Sequence, residues 1–400
     1  MSPTPPSAPS PALRRVAIVA GEASGDQIGA DLIAALRARH PGLDIFGMAG
    51  PRMRAAGCRA LAEVDELAVM GLVEVLRHYP RLCRLRARLI AALIRARPDV
   101  LVGIDVPDFT LEIERRAKAA GIPAVHYVCP QVWAWRAGRL PAIREAVDLV
   151  LALFPFEVPF LADHGIEAAF VGHPLADRIP AEPDRAAARA AVLPDAAPAG
   201  GPLLAVLPGS RPQELARHAA LFLDAALAFA ARHPGTRIVF GALNAAAAAE
   251  LEKRLAQRAP ATGPAPLVVV GRASELLAAA DVALLASGTV TLEAALSGTP
   301  AVVAYRLAPL SWWWLRRAVK VPHVALPNLL LGERLLPELL QDAATPAALA
   351  DALDAWLAAP ARIADYRRRC RALHASLAAG SGAAAAAAIE RLVAARAGTA

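Results

Sequence analysis

The chain has 400 residues, of which 56% are hydrophobic, so its length and apolarity exclude a disordered polypeptide and predict two domains. A net charge of +7 favours anionic partners. Because no zinc finger, helix-turn-helix or RNA-binding strand motif is present, we expect phosphates or a membrane surface rather than nucleic acid. Four widely spaced cysteines without a CxxC pair exclude a disulfide scaffold and argue against a zinc site.

Residues 1–14 are rich in proline and serine and lack the hydrophobic core of a signal peptide, so they predict a flexible tail. No uncharged apolar run reaches the roughly 18 residues that can span a bilayer. We therefore expect a cytoplasmic protein, with a frayed C-terminal end in the last 20 residues.

Short β-branched runs alternate with alanine-rich helical stretches, and the pattern restarts near Gly201. Strands separated by helices of this length indicate parallel sheets. We predict an α/β fold of two doubly wound, Rossmann-like domains facing each other across a cleft. The domains span 15–177 and 178–355, and C-terminal helices at 356–400 pack back on the N-terminal domain. The predicted strands are 16–20, 44–48, 100–104, 124–128, 149–154, 169–171, 203–207, 237–240, 267–270, 282–285 and 301–304.

Ligands of doubly wound sheets bind beyond the carboxyl ends of the strands, so the loops at those ends are the candidate sites. Residues 21–26 (GEASGD) follow the first strand. Their glycines permit a sharp turn that leaves amides at a helix N-terminus, where an anionic or hydroxyl-rich ligand can bind. A turn capped by Ser24 or Asp26 is an equal alternative.

Two carboxylates, Asp105 and Asp108, follow the predicted strand 100–104. A general base must lie within hydrogen-bond reach of a hydroxyl, and Asp105 emerges where a base at the carboxyl edge would lie. Asp108 follows Pro107 and suits a helix cap. We expect at least one of the two to be structural.

The loop 127–136 (YVCPQVWAWR) after the next strand is dense in large aromatic residues, which pack a domain or line a pocket. Cys129 has no His or Asp partner in the pattern, so a small buried residue is the better interpretation. His173, in GHPL, is interpreted as a turn histidine rather than a catalyst.

In the second half, residues 207–211 (LPGSR) follow a strand and open a helix, so Gly209, Ser210 and Arg211 form a candidate phosphate cradle. Residues 287–293 (SGTVTLE) repeat that arrangement after another strand. Their candidate ligands are backbone and hydroxyl donors at Ser287, Gly288 and Thr289, and Glu293, which can accept two sugar hydroxyls or simply favour the helix N-terminus. Two such loops in one domain favour a diphosphate site.

Two further segments suit a lipid surface. Residues 81–97 predict a helix with leucines on one face and arginines along it; leucines facing the core are the simpler interpretation. Apolar residues 67–76 precede that helix. Residues 312–314 are three tryptophans followed by basic residues, a composition typical of the headgroup zone. A peripheral membrane enzyme is therefore predicted.

With these motifs assembled, the chain resembles lipid-A-disaccharide synthases across residues 15–345. The segments that carry the resemblance are GEASGD (21–26), GIDVPDF (103–109), PQVWAWR (130–136), LPGSR (207–211), SGTVTLE (287–293), LPNLL (326–330) and PELLQ (337–341). The resemblance implies a GT-B glycosyltransferase that transfers 2,3-diacylglucosamine from its UDP derivative to 2,3-diacylglucosamine 1-phosphate. It also implies association with the inner-membrane surface, no cofactor or metal, and a possible homodimer.

By the same resemblance, Asp105 is the general base, and Glu22 and Ser24 lie at the acceptor side. Arg211 and Glu293 belong to the donor nucleotide site. Asn328 is a polar residue needed for activity, although as an Asn ahead of a helix it reads equally as a cap. Cys129 and Gln131 depart from the small hydroxyl residues expected at the tryptophan loop.

Three other interpretations compete with this one. A UDP-sugar 2-epimerase shares the architecture and needs no lipid surface. A murein-type glycosyltransferase shares the donor domain but would carry a glycine-rich first loop. A non-catalytic nucleotide-sugar sensor would bind UDP without needing Asp105.

Overall fold

The computed structural model describes residues 13–67, 72–135, 137–193, 200–258, 265–308, 312–313 and 321–398, with the backbone alone for 72–78. The predicted tail lies outside the described residues except for its last two positions. The chain divides into two compact units. The first unit comprises Met1–Asp177 with Leu377–Ala400, and the second comprises Arg178–Ser376. Residues 356–376, which the sequence analysis grouped with the C-terminal helices, therefore lie in the second unit.

The first unit is built on a seven-stranded parallel sheet of order β3-β2-β1-β4-β5-β6-β7. The central strands are buried on both faces, as expected for parallel strands covered by helices. The winding of the chain reverses between β1 and β4, so the loops after these two strands are the place where a ligand of such a sheet would bind. The strands are β1 (Arg15–Ala20), β2 (Asp44–Ala49), β3 (Arg59–Glu63), β4 (Val100–Ile104), β5 (Ala124–Tyr127), β6 (Leu149–Ala152) and β7 (Ala168–Phe170).

Helices cover this sheet, and the last helix of the chain belongs to the layer. They are α1 (Ala23–Arg39), α2 (Pro51–Ala55), α3 (Leu72–Ala96), α4 (Pro107–Ala119), α5 (Leu140–Ala146), α6 (Glu157–Ala162), α7 (Pro174–Arg178) and α16 (Ser381–Ala397). Glu390 of α16 accepts two hydrogen bonds from Arg39 at 2.6 Å, and the carboxylate of Asp177 accepts from the amide of Gly380 at the start of α16. These contacts fix the C-terminal helix on the first unit.

The second unit repeats the same plan with a six-stranded parallel sheet of order β10-β9-β8-β11-β12-β13. Its winding reverses between β8 and β11, which are apolar and buried along their whole length. The strands are β8 (Leu203–Leu207), β9 (Arg237–Ala242), β10 (Leu267–Val270), β11 (Val282–Ala286), β12 (Ala301–Tyr305) and β13 (Glu338–Leu340).

Helices of the second unit include the long helix after β8 and a C-terminal pair. They are α8 (Arg185–Val192), α9 (Pro212–Arg232), α10 (Ala245–Ala256), α11 (Ala273–Ala279), α12 (Thr289–Leu296), α13 (Leu326–Leu331), α14 (Pro346–Leu357) and α15 (Pro360–Leu377). Tyr366 of α15 is buried against Trp356 and donates a hydrogen bond to the carbonyl oxygen of Thr299. The helix α15 therefore packs on the second unit.

The predicted α/β class with two parallel sheets is confirmed. Two strands were missed, β3 and β13, and both lie at the edge of their sheets. Edge strands bury less of their surface, so the continuous apolar runs that reveal central strands are absent from RALAE and ELL.

One stretch of the described chain, Pro360–Ala397, has the length and mean hydropathy of a membrane span. It consists of two helices, α15 and α16, which are separated at Gly380 by a left-handed backbone with φ of 64°. Tyr366, Leu377 and Ile389 from this stretch are buried inside the protein. Core helices of this composition meet the same criteria.

Candidate active site

The loops after β1 and β4 pack directly against each other at the reversal point of the first sheet. A Cβ added to Gly21 would lie 2.5 Å from Cγ2 of Val106, so only glycine fits there. Asp105 and Val106 both have left-handed backbone, with φ of 54° and 45°. A β-branched residue in this region is an outlier that costs about 1–3 kcal/mol. Strain of this size persists where the surroundings enforce it, and it is concentrated at functional sites.

Asp105, the predicted base, is half-buried at the carboxyl end of β4. Its Oδ1 accepts a hydrogen bond from the amide of Val106 at 2.8 Å. Its own amide donates to the carbonyl oxygen of Tyr127 at 3.0 Å, and Thr110 Oγ1 donates to its carbonyl oxygen at 2.9 Å. The turn that presents the carboxylate is thus tied to β5 on one side and to α4 on the other.

Glu22 and Ser24 are exposed at the N-terminus of α1, in the loop that packs on Val106. Glu22 is the N-cap residue with extended backbone. Asp26 is buried and accepts hydrogen bonds from the amides of Gly50, Arg52 and Met53, so it caps α2 rather than its own helix. The structure therefore brings the Glu22 loop and the Asp105 turn to one edge of the sheet, while Asp26 is structural.

Asp108 does not cap α4, because the N-cap residue is Val106. Asp108 is exposed in the first turn of the helix and pairs with Arg139. The predicted helix cap at Asp108 is therefore wrong, and the role of Asp105 as the base stays a prediction.

The tryptophan loop covers a buried carboxylate. Glu157 accepts hydrogen bonds from Trp133 Nε1 and from the amide of Phe154, both at 3.1 Å. Burial raises the pKa of Glu157 to about 7. Cys129 is buried beside it, and burial raises the pKa of its thiol well above the ordinary value. Its interpretation as a small buried residue is confirmed. Arg136, at the end of this motif, lies outside the described residues.

His173 is buried and its Nδ1 accepts a hydrogen bond from the amide of Leu175 at 3.1 Å. It lies against the ring of Phe154, with 5.5 Å between ring centroids. These contacts confirm the interpretation of His173 as a turn histidine.

At the reversal point of the second sheet, a carboxylate of the protein itself fills the predicted phosphate cradle. The amides of Ser210 and Arg211 donate to Oε2 of Glu214 at 3.0 and 3.2 Å. Gly209 forms the turn before them with φ of 116°. Arg211 is exposed, and its guanidinium lies 3.7 Å from Glu214 Oε1. The guanidinium thus faces solvent, whereas the two amides are taken by a carboxylate of the same helix.

The second loop of this unit starts α12 next to the first one. Ser287 Oγ donates to the carbonyl oxygen of Val324 at 2.8 Å, so that hydroxyl is used within the protein. Gly288 and Thr289 are exposed at the helix N-terminus, where the first amides have no intrahelical partner. Glu293 is half-buried, accepts a hydrogen bond from Ser274 at 3.1 Å, and has its pKa raised by burial.

Asn328 is buried, and its side chain makes three hydrogen bonds to a neighbouring segment. Its Nδ2 donates to the carbonyl oxygen of Leu336 and to Glu338 Oε1, both at 2.9 Å, and its Oδ1 accepts from the amide of Leu336 at 2.8 Å. Glu338 Oε1 also accepts from the amides of Val324 and Ala325. Asn328 and Glu338 therefore fix the segment that leads into α13, so the amide of Asn328 is occupied by the protein itself rather than offered to a ligand.

Three residues of this edge were missed by sequence reasoning. Glu214 follows Arg211 by three positions, which is the capping-box spacing and could have revealed it. His218 is buried beneath the loop, with Nδ1 3.0 Å from the carbonyl oxygen of Pro208 and Nε2 accepting from the amide of Arg306. Burial lowers the pKa of His218, consistent with a neutral ring. No local pattern indicates His218, whose partner Arg306 lies far along the chain, or Glu338, which lies on the missed strand β13.

The lipid-facing candidates are described only in part. Leu85, Leu89 and Leu93 of α3 are buried in a core cluster, which confirms that these leucines face the core. Four arginines of the helix, at 81, 84, 88 and 95, are exposed. Residues 68–71 and 314–320 lie outside the described residues, and Trp313 is 53% exposed.

Among the described residues, no group of three or more His, Cys, Asp or Glu side chains is arranged to hold a metal ion. A cavity of about 740 Å³ in the second unit is lined by Arg189, Asp281 and Arg367. It lies where β8 and β11 begin, at the edge opposite to the candidate loops.

The model of the lipid-A-disaccharide synthetase family matches residues 16–390. A lipid-A-disaccharide synthase of Pseudomonas aeruginosa is 53% identical over 344 residues, which cover 86% of this chain and 89% of that protein. The chain belongs to the lipid-A-disaccharide synthetase family. The match runs through both sheets and through every loop described above.

Two solved structures show how widely the fold is shared. The calicheamicin glycosyltransferase CalG4 has a TM-score of 0.57 at 19% identity, covering 97% of this chain and 99% of its own. A UDP-GlcNAc 2-epimerase from Neisseria meningitidis has a TM-score of 0.61 at 12% identity, covering 92% and 97%. Since a transferase and an epimerase share the fold with this family, the fold of the two units is of GT-B type but does not by itself select the reaction.

Proposed function

We propose that this family member is an inverting hexosyltransferase that transfers 2,3-diacylglucosamine from UDP-2,3-diacylglucosamine to 2,3-diacylglucosamine 1-phosphate. The products are the β-1,6-linked disaccharide 1-phosphate and UDP. The observation that carries the proposal is the family match over residues 16–390, which includes the candidate loops of both sheets. Those loops offer a carboxylate in the first unit and an anion-binding helix start in the second.

In the first unit, Asp105 acts as the general base. It removes the proton of the acceptor 6-hydroxyl as that oxygen attacks the anomeric carbon from the face opposite to UDP. The strained turn supports this role, because hydrogen bonds hold it at the edge of the sheet. The amide of Val106 donates to the Asp105 carboxylate, Thr110 donates to the Asp105 carbonyl oxygen, and the Asp105 amide donates to Tyr127. Glu22 and Ser24, exposed on the adjacent loop, bind the acceptor.

In the second unit, the diphosphate of the donor binds at the start of α12 and against the guanidinium of Arg211. The amides of Gly288 and Thr289 supply the helix-terminus donors, while those of Ser210 and Arg211 remain with Glu214 unless the loop rearranges. Positive charge here stabilises UDP as the glycosidic bond breaks. Glu293 accepts hydrogen bonds from sugar hydroxyls of the nucleotide.

The decisive experiment incubates the purified chain with both lipid substrates in the presence of a chelator and follows UDP release together with the disaccharide phosphate. Formation of both products supports the proposal and its metal independence. Binding of UDP without any disaccharide would overturn the acceptor assignment. The Asp105→Asn variant should bind UDP normally and lose most turnover, and unchanged turnover would remove the base assignment alone.

A UDP-sugar 2-epimerase is the second candidate, because that fold neighbour aligns with 92% of the chain. It requires no acceptor, so it predicts conversion of a UDP-sugar when the acceptor is omitted. Absence of that conversion, with disaccharide formation when the acceptor is present, separates the two.

Peripheral association with an anionic membrane surface is part of the proposal. It is supported by the exposed arginines of α3 and by Trp313, since aromatic and basic side chains suit the headgroup zone. Sedimentation with vesicles that contain anionic lipid, compared with neutral vesicles, tests it. A homodimer stays a prediction, which light scattering of the purified protein measures.

A further inference from the structure

A glutamate and a histidine form a fully buried pair beneath the Asp105 turn. Oε1 of Glu114, on α4, lies 2.8 Å from Nδ1 of His126, on β5, and both side chains are at most 1% exposed. Replacing a buried charged pair by apolar residues is often neutral or stabilising, so such a pair is weak evidence for a contribution to stability. Its location suggests a more specific role.

The sheet makes room for this pair at one position. Gly103 of β4 is the register partner of His126. A Cβ added to Gly103 would lie 1.9 Å from Glu114 Oε1, so the glutamate reaches its histidine across the bare backbone of that glycine. The contact between Glu114 and His126 therefore depends on glycine at position 103, and the three residues form one arrangement.

This arrangement connects the same two elements that hold Asp105. The helix α4 begins directly after the Asp105–Val106 turn, and Thr110, one turn before Glu114, donates to the carbonyl oxygen of Asp105. On the other side, the amide of Asp105 donates to Tyr127, the neighbour of His126 in β5. The Glu114–His126 contact is thus the side-chain link between the helix and the strand that fix the turn.

The pair is incompletely satisfied, which is unusual for a purely structural contact. In the part of the chain that the structure describes, His126 Nε2 and Glu114 Oε2 are buried without a hydrogen-bond partner. Burial, the largest influence, lowers the pKa of His126, but the nearby carboxylates of Glu114 and Asp105 raise it, and the net pKa lies above its ordinary value.

We propose that Glu114 and His126 are positioning residues, which hold the strained turn so that the Asp105 carboxylate meets the acceptor hydroxyl. The inference rests on the proposed function, in which Asp105 is the base. Neither residue touches the reacting atoms, so their effect should fall on turnover rather than on substrate binding.

The test compares Glu114→Gln with a control variant, Glu112→Gln. Glu112 lies on the same helix and pairs with Arg115 and Arg116 near the surface. Glutamine keeps the size but removes the negative charge that faces the ring of His126. We expect kcat to fall about 10- to 100-fold in Glu114→Gln, with KM for both substrates within about threefold and UDP binding unchanged. Glu112→Gln should have the kinetics of the parent enzyme. His126→Gln should likewise lower kcat and leave KM nearly unchanged, and it replaces Glu114→Gln in the test if that variant does not fold.

A double-mutant cycle with Asp105→Asn separates this inference from the proposed function. If Glu114 acts through Asp105, adding Glu114→Gln to Asp105→Asn should change the residual turnover by less than about twofold. Parent-level kcat in Glu114→Gln, or an equal fall in both backgrounds, would overturn the positioning role. Full activity of Asp105→Asn would instead overturn the base assignment on which it rests.

Discussion

The contact between Gly21 and Val106 offers a direct test of the strained turn. In Gly21→Ala, the new methyl group would lie 2.5 Å from Cγ2 and 2.7 Å from Cβ of Val106, well inside contact distance. Overpacking of this kind costs about 1–3 kcal/mol. The replacement of glycine by alanine recovers about 0.4–1 kcal/mol by restricting the unfolded chain. We therefore expect the free energy of unfolding to fall by about 1–2 kcal/mol.

Gly21→Ala should also lower turnover. The side chain that must move belongs to the residue next to Asp105, and a misplacement of about 1 Å in a reacting group can cost about 100-fold in rate. We expect Gly21→Ala to fold, to bind UDP normally and to lose about 100-fold in kcat. Urea denaturation and the UDP-release assay measure the two quantities on the same preparation.

Val106→Gly supplies the matched second site, because it removes the three atoms that lie nearest to the new methyl group. By itself, Val106→Gly loses about 1 kcal/mol from the burial of the valine side chain and relieves about 1–3 kcal/mol of backbone strain. Because glycine also gives the unfolded chain more conformational freedom, the free energy of unfolding should change little. The double variant should recover the stability that Gly21→Ala loses. If the two changes add within about 0.5 kcal/mol, the contact is not the cause and the reasoning fails.

Three further predictions concern other parts of the candidate site. Arg211→Ala should weaken UDP binding by about 10- to 100-fold without changing stability, because one charge-assisted hydrogen bond is lost. Calorimetry measures the binding, and the control Arg217→Ala, at an exposed position of α9, should leave it unchanged. Asn328→Ala should lower the free energy of unfolding by about 1–3 kcal/mol in urea denaturation, because buried partners are left unsatisfied; an inactive variant of parent stability would instead indicate direct substrate contact. Since burial raises the pKa of Glu157 to about 7, the folded state holds that proton more tightly, and stability should fall by about 2–3 kcal/mol as pH rises from 4.5 to 7. Glu157→Gln should remove this slope, and Trp133 fluorescence should titrate near pH 7 only while the carboxylate is present.

The central strands could be predicted because they are short, apolar and β-branched, as in VLVGI and LLAVL. Burial on both faces allows no polar residue there, so composition alone reveals them. The rule that ligands bind beyond the carboxyl ends then located the loops at 21–26, 105–109, 207–211 and 287–293 without any knowledge of side-chain contacts. The edge strands β3 and β13 gave no such signal, since they are only partly covered.

Side-chain partners were predicted less well, because they depend on residues that only the fold brings together. Glu214 takes the two amides that the LPGSR pattern offers to a phosphate. The resemblance places Asn328 among the residues needed for activity, and its amide hydrogen-bonds to Leu336 and to Glu338, which lies on a strand that the sequence does not reveal. A loop motif therefore shows where anionic ligands can approach, whereas the free donors at that place must be read from the structure.

The turn at Asp105 and Val106 has a backbone conformation that local sequence preference does not predict. Left-handed backbone predicts glycine, asparagine or aspartate, and valine at φ 45° contradicts local preference. Such a residue is stable only if its neighbours enforce the conformation, and here they do so through the bare surface of Gly21, the hydroxyl of Thr110 and the carbonyl group of Tyr127. Each of these is an ordinary residue in the sequence. Their joint effect is to hold one carboxylate at the edge of the sheet. Local preference is thus overridden at Val106, next to the residue that the proposed reaction needs most.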